Sequence, residues 1–411
     1  MGGSAFSSGG RNLSTPRMPT EVYLRVRQHC HRLLFQHFFC VATPIDGPGK
    51  KDFGDVDILV YHHKLGKVLD DRQWVEELAN ILDAVDYIYT KGNGANANFA
   101  IPWPEQFIND TDTEKRYIQV DIRVCETLKH LNWVLFKHAH GDLWSIVGSM
   151  IRPYGITVDE SGFWLRIEEV ESTNKNKAKV FLTDEPAQVL SFLGFPIDDY
   201  WDRPFDSVND MFEYSTKSPL ASIPGDKDRV GASSGIDAQT LSSNDRKRVR
   251  MRPVYRQFVE SFIPDCQRRG RFKQQQTSRK EVTDRAMIHF GVTKEYTQRR
   301  REYLIERHRD MVYRTLIKDA IPPVEDASDI RSVNYRSHLI KALKLIILEG
   351  SEEFGCKFDQ SNVIDGMVDA EKVQEFIQRH KEAIGRAAIE KQHIQYLASE
   401  KRKQGISDAK E

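Results

Sequence analysis

Two segments of the chain alternate apolar and polar residues with a period of two. In Asp55-Val56-Asp57-Ile58-Leu59-Val60, the residues Val56, Ile58 and Val60 share one face of a strand, and Asp55 and Asp57 share the other. In Tyr117-Ile118-Gln119-Val120-Asp121-Ile122-Arg123-Val124, the apolar face is Ile118, Val120, Ile122 and Val124. The polar face is Tyr117, Gln119, Asp121 and Arg123. Around these lie other patterned stretches. Thr20 is placed to cap a helix from Glu21, with Val22, Val26, His29 and Leu33 on one side. Phe38 to Ala42 reads as a strand ended by Pro44, and Arg72 to Val85 as a helix burying Trp74, Leu78, Ile81, Leu82 and Val85. Tyr87 to Tyr89 and Asn98 to Ile101 read as further strands. This order predicts a small mixed sheet backed by helices.

Beyond it, Leu131 to Ile151 predicts two short helices broken at His140-Gly141. Gly162 to Arg166 reads as a hairpin strand after a turn at Asp159 to Gly162. Asp184-Glu185-Pro186 opens a helix stopped by Gly194, and Asp206 to Glu213 predicts another. Asp329 to Gly350 is amphipathic, and Asp369 to Gln404 is a long charged helix. The pattern therefore predicts an α+β chain of several regions. These are a disordered N-terminus (1–19), a mixed-sheet domain (20–130), an appended helical and hairpin region (131–215), a linker rich in Ser, Gly and Asp (216–245), a basic helical region (246–325) and a C-terminal helical region (326–411). A chain of 411 residues fits two or three domains.

Two acids on one strand face are costly unless a cation neutralises them. Asp55 and Asp57, with Asp121 on a second alternating strand, suit a pair of hard divalent ions, the device used for in-line displacement at phosphorus. The stretch Gly54-Asp55-Val56-Asp57-Ile58-Leu59-Val60 resembles the metal motif of the DNA polymerase β-like nucleotidyltransferase superfamily, and Asp121 matches its third acid. The resemblance covers roughly residues 21 to 125. More weakly, His138 to Tyr214 is similar to regions appended to viral and fungal nucleotidyltransferase-like proteins. It implies two Mg²⁺ (or Mn²⁺) ions, a nucleoside triphosphate, and transfer of a nucleotidyl group to an acceptor hydroxyl with release of pyrophosphate. By this carry-over Asp55 and Asp57 hold both metals, and Asp121 holds the catalytic metal and helps activate the hydroxyl.

One part of the family pattern is altered. A Gly-Ser pair usually precedes the first acid and holds the triphosphate. Here the stretch reads Val41-Ala42-Thr43-Pro44-Ile45-Asp46-Gly47-Pro48-Gly49-Lys50-Lys51. Thr43 offers a hydroxyl, Pro44 removes a backbone donor, Gly47, Gly49 and Gly54 allow close backbone approach, and Lys50 and Lys51 meet phosphate charge. Two readings stand side by side: an active transferase whose acceptor is a nucleic-acid end such as RNA, and a catalytically inactive module on the same fold that binds RNA or a protein partner. Self-association through oppositely charged regions is a third.

Charge sharpens the partner question. Formal net charge is zero, but residues 157–214 hold 13 acids and 5 Lys/Arg, whereas 245–314 hold 20 Lys/Arg and 9 acids. Segregation of this kind suits contact between internal regions or a basic face for nucleic acid. Arg246, Lys247, Arg248, Arg250 and Arg252, with Tyr255, Phe258 and Phe262 on one helical side, suit a phosphate backbone and stacked bases. The same run also reads as a charged helix surface or a nuclear-localisation signal. Arg152 and Arg166 are placed either to touch phosphate or to pair with nearby acids. Five scattered cysteines without a Cys-x-x-Cys pair fit a reducing compartment and disfavour zinc. No apolar run is long enough for a membrane span or a secretory signal, so the expected location is intracellular, cytoplasmic or nuclear. The close histidine pairs lack metal-ligand spacing.

Overall fold

The computed structural model describes residues 3–7, 11–66, 69–92, 96–108, 114–221, 241–271 and 277–407, the last seven by backbone alone. The chain divides at Thr293/Lys294 into two compact units. The division falls inside the stretch that the charge pattern groups as one basic region.

The first unit is built on a five-stranded sheet. A two-residue strand β1 (Met18–Pro19) leads into helix α1 (Thr20–His37), strand β2 (Phe38–Ala42), a short β3 (Asp52–Phe53) and the long β4 (Asp55–His63). Helix α2 (Asp71–Leu82), β5 (Asp86–Tyr89), β6 (Ala97–Pro102) and β7 (Tyr117–Cys125) follow. The strand order is β2-β4-β7-β6-β5. Only the central pair β4/β7 is parallel; the other neighbours are antiparallel. The expected mixed sheet is present.

One face of the sheet carries the core. Val56, Ile58 and Val60 of β4 and Ile118, Val120 and Ile122 of β7 are buried against α1 and α2. Each such aliphatic side chain contributes roughly 1.5–3 kcal/mol by leaving water. Helix α1 buries Val22, Tyr23, Val26, Cys30 and Leu34, a three-and-four spacing that differs from the expected line through His29, which is exposed. Thr20 does not cap it: the helix begins at Thr20 after Pro19, and the Thr20 hydroxyl reaches the Lys51 carbonyl at 3.5 Å. Helix α2 is set by a capping box between Asp70 and Gln73 and stopped by Asp83 in the left-handed conformation. Val85 therefore lies beyond the helix and is exposed.

The expectation of a disordered N-terminus does not hold for the described residues. Phe6 and Met18 are fully buried, the Ala5 N–H donates to Gln119 Oε1 at 3.0 Å, and Met18 pairs with Phe53. Gly3 crosses directly over Gly54: a Cβ on Gly3 would lie 2.3 Å from the Gly54 carbonyl oxygen, so only glycine passes there. Composition pointed to disorder because anchoring comes from isolated side chains and backbone bonds, which leave no periodic trace.

Helix α3 covers one end of the remaining sheet face. Its residues Leu131 and Val134 (α3 is Leu128–His138) pack against Leu59 and Cys125. The break at His140-Gly141 is present, both residues having positive φ, and α4 (Leu143–Ile151) follows. Strands β8 (Ile156–Asp159), β9 (Gly162–Arg166) and β10 (Lys179–Thr183) form a second, three-stranded antiparallel sheet; the periodicity signalled the hairpin but not β10. Short helices α5 (Glu168–Glu171), α6 (Pro186–Leu193), α7 (Asp198–Trp201) and α8 (Val208–Ser215) lead to residues 216–245. Within that expected linker, 222–240 lie outside the described residues, while Leu220, Ala221 and Leu241 are buried.

The basic stretch forms α9 (Ser243–Met251) and α10 (Pro253–Gln257), a π-helical turn at Phe258–Phe262, then α11 (Ile263–Arg268) and α12 (Arg279–His289). Tyr255, Phe258 and Phe262 are buried, so they serve as core and do not present stacking faces to bases. Acidic and basic regions meet inside this unit, with Arg271 on Glu213 and Arg279 on Glu171, each at 2.8 Å.

The second unit is helical. It contains most of α13 (Thr293–Met311), a π-helical turn (Val312–Ile317), α14 (Ile330–Glu349) and α15 (Ala370–Ser407). Leu339, Leu343 and Ile346 of α14 pack on Val373, Ile377 and Ile384 of α15. Arg299 and Arg301 are engaged with Glu295 and Asp365. No helix among the described residues is long and apolar enough to cross a membrane.

Candidate active site

The parallel register of β4 and β7 sets Asp57 opposite Asp121 and Asp55 opposite Gln119. Neighbouring strands lie about 4.8 Å apart, and residues in register point the same way, so Asp57 and Asp121 stand side by side on the face left open by α3. Asp55 is two residues back on the same face. The three acids singled out by alternation are thus brought together. The face turns apolar just past them, at Leu59 and Cys125, where α3 covers it.

Asp121 is held by two amides. Asn98 sits opposite it on β6 and donates to Oδ1 at 2.5 Å, and Gln119 donates to the same oxygen at 2.8 Å. The Ala5 N–H fixes the Gln119 amide by donating to its Oε1. Both bonds fall on Oδ1, which leaves Oδ2 for a ligand.

Electrostatically the cluster is short of positive charge. Burial pushes the Asp121 carboxyl up to about 7; its hydrogen bond from Asn98 resists this, and the Asp55 charge adds to it. Asp55 is raised by burial and then by Asp57. Asp57 is raised by burial, against the pull of His138, Lys50 and Arg123. Its side chain reaches solvent, but only at the floor of a concave cleft walled by protein, so it is still poorly hydrated. Asp55, Asp57 and Asp121 are a hard, all-oxygen donor set of the kind that suits Mg²⁺ or Mn²⁺ and does not resemble a zinc or copper site, although their oxygens do not all lie within 4.8 Å of one another in this structure.

Two hollows flank the acids, with Pro44, Asp57 and His138 in the wall of both. One, of about 770 Å³, is lined by the loop from Thr43 to Gly54 and by Arg17, Met251 and Arg252. The other, about 350 Å³, is lined by Tyr89, Asn98, Asp121, Arg123 and His138. The basic groups Arg17, Lys50 and Lys51 thus lie on the Asp55 side, and the amides on the Asp121 side.

All of Thr43, Gly47, Gly49, Lys50, Lys51 and Gly54 lie in the wall of the larger hollow. The Thr43 hydroxyl meets His31 Nε2 at 2.7 Å, so it is engaged rather than aimed at a phosphate. Asp46 anchors the loop by accepting from the Tyr23 hydroxyl and Arg27 at 3.0 and 3.1 Å. Tyr23 in turn stacks on Phe53 at 3.7 Å. Gly47 packs on Gly141, where an added Cβ would lie 3.2 Å from backbone.

The basic run divides. Arg248 bonds Asp245 at 2.6 Å, Arg246 donates to the Leu241 carbonyl, and Arg252 reaches Asp142 at the rim of the larger hollow. Lys247 and Arg250 are exposed. Arg152 and Arg166 are taken up by Asp245 and Glu171, as ion pairs.

Sequence reasoning missed Asn98, Arg123 and His138. Asn98 carried a signal, since asparagine is disfavoured in strands without a reason to be there. A separate group, His37, His63 and Glu77, places three donor atoms within 4.8 Å. His63 Nδ1 already accepts the Leu65 N–H, which puts the neutral ring's proton on Nε2, 3.3 Å from Glu77. Glu77 is thus a close ion-pair neighbour of the ring, without hydrogen-bond geometry at Nε2. All five cysteines are free thiols. Comparison with known proteins finds no family model and no curated protein that matches this chain.

Proposed function

We propose that the chain is a metal-dependent nucleotidyltransferase that moves a nucleotidyl group from a nucleoside triphosphate to an acceptor hydroxyl, with a nucleic-acid end such as RNA as acceptor. The observation that carries this is the side-by-side placement of Asp57 and Asp121, with Asp55 on the same face, between a basic hollow and an amide-lined one. The resemblance of Gly54 to Val60 to the DNA polymerase β-like nucleotidyltransferase motif supports it, as does the mixed sheet with these acids on its central strands.

In this reading Asp55 and Asp57 bind both ions and Asp121 binds the one on the acceptor side. Two Mg²⁺ or Mn²⁺ ions, when bound, would neutralise the triphosphate and the developing charge at phosphorus. Lys50, Lys51 and Arg17 draw the triphosphate to the larger hollow. Asp121, oriented by Asn98 and Gln119, receives the proton of the attacking hydroxyl. A new P–O bond forms at the α-phosphorus as the bond to the bridging oxygen breaks, and pyrophosphate leaves toward the basic hollow. Lys247 and Arg250, both exposed, suit the acceptor backbone, whereas Arg252 is paired with Asp142.

A test is incubation of the purified chain with labelled triphosphates, Mg²⁺ and RNA. Wild type should transfer label and Asp55→Ala should not; equal behaviour of the two overturns the assignment. A second reading is favoured by the engaged Thr43 hydroxyl and by Pro44, which supplies no N–H: a catalytically inactive module of the same fold that binds RNA or a protein partner. It predicts salt-sensitive RNA binding with no metal-dependent stabilisation by any triphosphate.

A further inference from the structure

The tip of the β8–β9 hairpin places a carboxylate among an arginine, a lysine and a histidine. Glu160 Oε2 lies 3.3 Å from Arg123 and 3.5 Å from His138 Nε2, and Oε1 is bonded by Lys137. The hairpin itself is rigid. Asp159 Oδ1 accepts from the Ser161 N–H, the Ser161 hydroxyl and Trp164 Nε1, each at 2.9 Å, and Asp159 Oδ2 binds Lys179 at 2.6 Å. The Asp159 carbonyl also takes the Trp133 indole N–H at 3.0 Å. Glu160 contributes nothing to this clamp. Its side chain is 56% exposed, so it can rotate away while the turn stays in place.

The side chains it gathers are not surface strays. Arg123 and His138 line the smaller hollow beside Asp121. Arg123 is two residues beyond Asp121 on β7 and on the same face, so it stands about 6.6 Å farther along the strand. Arg, Lys and His converging on two oxygens is the donor pattern that binds a phosphate. A phosphate held there, carrying one nucleoside, would lay the sugar over Asp121.

We infer that Arg123, Lys137 and His138 form a subsite for a phosphate of the acceptor nucleotide, and that the Glu160 carboxylate occupies it until the acceptor displaces it. This inference rests on the transferase reading for its purpose, but the subsite is tested without transfer. Glu160 thus acts as an internal competitor: neutral or uncharged acceptors gain nothing by displacing it, whereas a phosphorylated end replaces one anion with another of higher charge. The subsite selects a 5′-phosphorylated nucleotide or strand end over a bare nucleoside.

The experiment measures binding of each ribonucleoside 5′-monophosphate, and of the matching nucleoside, to the full chain with Mg²⁺ and no triphosphate. Monophosphate should bind at least tenfold more tightly than nucleoside. Glu160→Gln should tighten monophosphate about tenfold and leave the nucleoside unchanged. Arg123→Met and Lys137→Met should each weaken it about tenfold, with unfolding temperatures near that of wild type. No tightening in Glu160→Gln, or no loss in both cation variants, overturns the subsite. If binding follows the expected pattern while no triphosphate yields transfer, the subsite stands and the transferase reading falls.

Discussion

Asp57 and Asp121 face each other in register across the only parallel strand pair of the central sheet. Their carboxylates are poorly hydrated and mutually repulsive, and Asp121 titrates near 7. In the absence of divalent cations the folded state therefore holds a proton that the unfolded chain releases near 4. Stability should fall as pH rises from about 4 to about 7, by at most roughly 4 kcal/mol. Melting curves across this range should show the decline, Asp121→Asn should flatten it, and Mg²⁺ should restore stability at the upper end. A metal-free melting temperature that rises between pH 5 and 7 in wild type, and equally in Asp121→Asn, would contradict the electrostatic picture.

Asn98 and Gln119 act on the acid and not on substrate. Replacing an amide that orients a metal-binding carboxylate typically weakens metal binding 10- to 100-fold. Asn98→Ala should accordingly raise the Mg²⁺ concentration needed for half-maximal transfer and shift the acid limb of the pH profile upward, because the hydrogen bond that favours the charged Asp121 is gone. Excess Mg²⁺ should recover much of the activity. A change in triphosphate KM with an unaltered Mg²⁺ dependence would point to a different role.

A different carboxylate tests the fold. Asp245 is buried, and burial alone would raise its pKa, but hydrogen bonds from Arg152, Ser242 and Arg248 hold it below the ordinary value. It also accepts from the Tyr255 hydroxyl at 3.2 Å. Asp245→Ala leaves two guanidinium groups without their shared anion and should destabilise the first unit by about 3–5 kcal/mol in urea unfolding. The sign with pH is the reverse of that for Asp121. Asp245 contributes above pH 4, and its contribution is lost as acid protonates it below that.

The loop from Thr43 to Gly54 is braced by Gly47 against Gly141. That contact depends on the α3–α4 break, where the His140 N–H bonds the Ile45 carbonyl at 2.8 Å and His140 Nε2 meets the Tyr200 carbonyl at 2.7 Å. Gly47→Val should push the loop off this support. We expect triphosphate KM to rise several-fold with kcat nearly kept, read from initial rates against triphosphate concentration.

The acids were legible because a strand that buries one face must alternate, and Asp55, Asp57 and Asp121 interrupt no apolar position. The helices from Arg72 and from Asp329 were legible for the same reason at period 3.6. What the pattern missed was held by single contacts. Phe6 and Met18 anchor a Gly/Ser-rich segment with no repeat to reveal it, and Asn98 matters only because β6 lies next to β7. The aromatics after Arg252 were ambiguous in principle. Helical spacing of Tyr255, Phe258 and Phe262 reads alike for a core stripe and for a base-stacking platform, and burial decided for the core. Likewise the clustered arginines predicted a basic face, but Asp142 and Glu213, distant in sequence, and Asp245, three residues before Arg248, absorb several of them.

Parallel pairing of β4 with β7 has a kinetic consequence. No hairpin can bring these strands together; helix α2 and strands β5 and β6 must be laid down in between before the carboxylates meet. The three-acid face therefore forms only with this long-range pairing, and Asn98 on β6 reaches Asp121 only once the sheet is in place. If divalent cations bind these acids, they should bind only after the tertiary structure has closed, and recovery of that binding after denaturant dilution should lag behind recovery of helical signal.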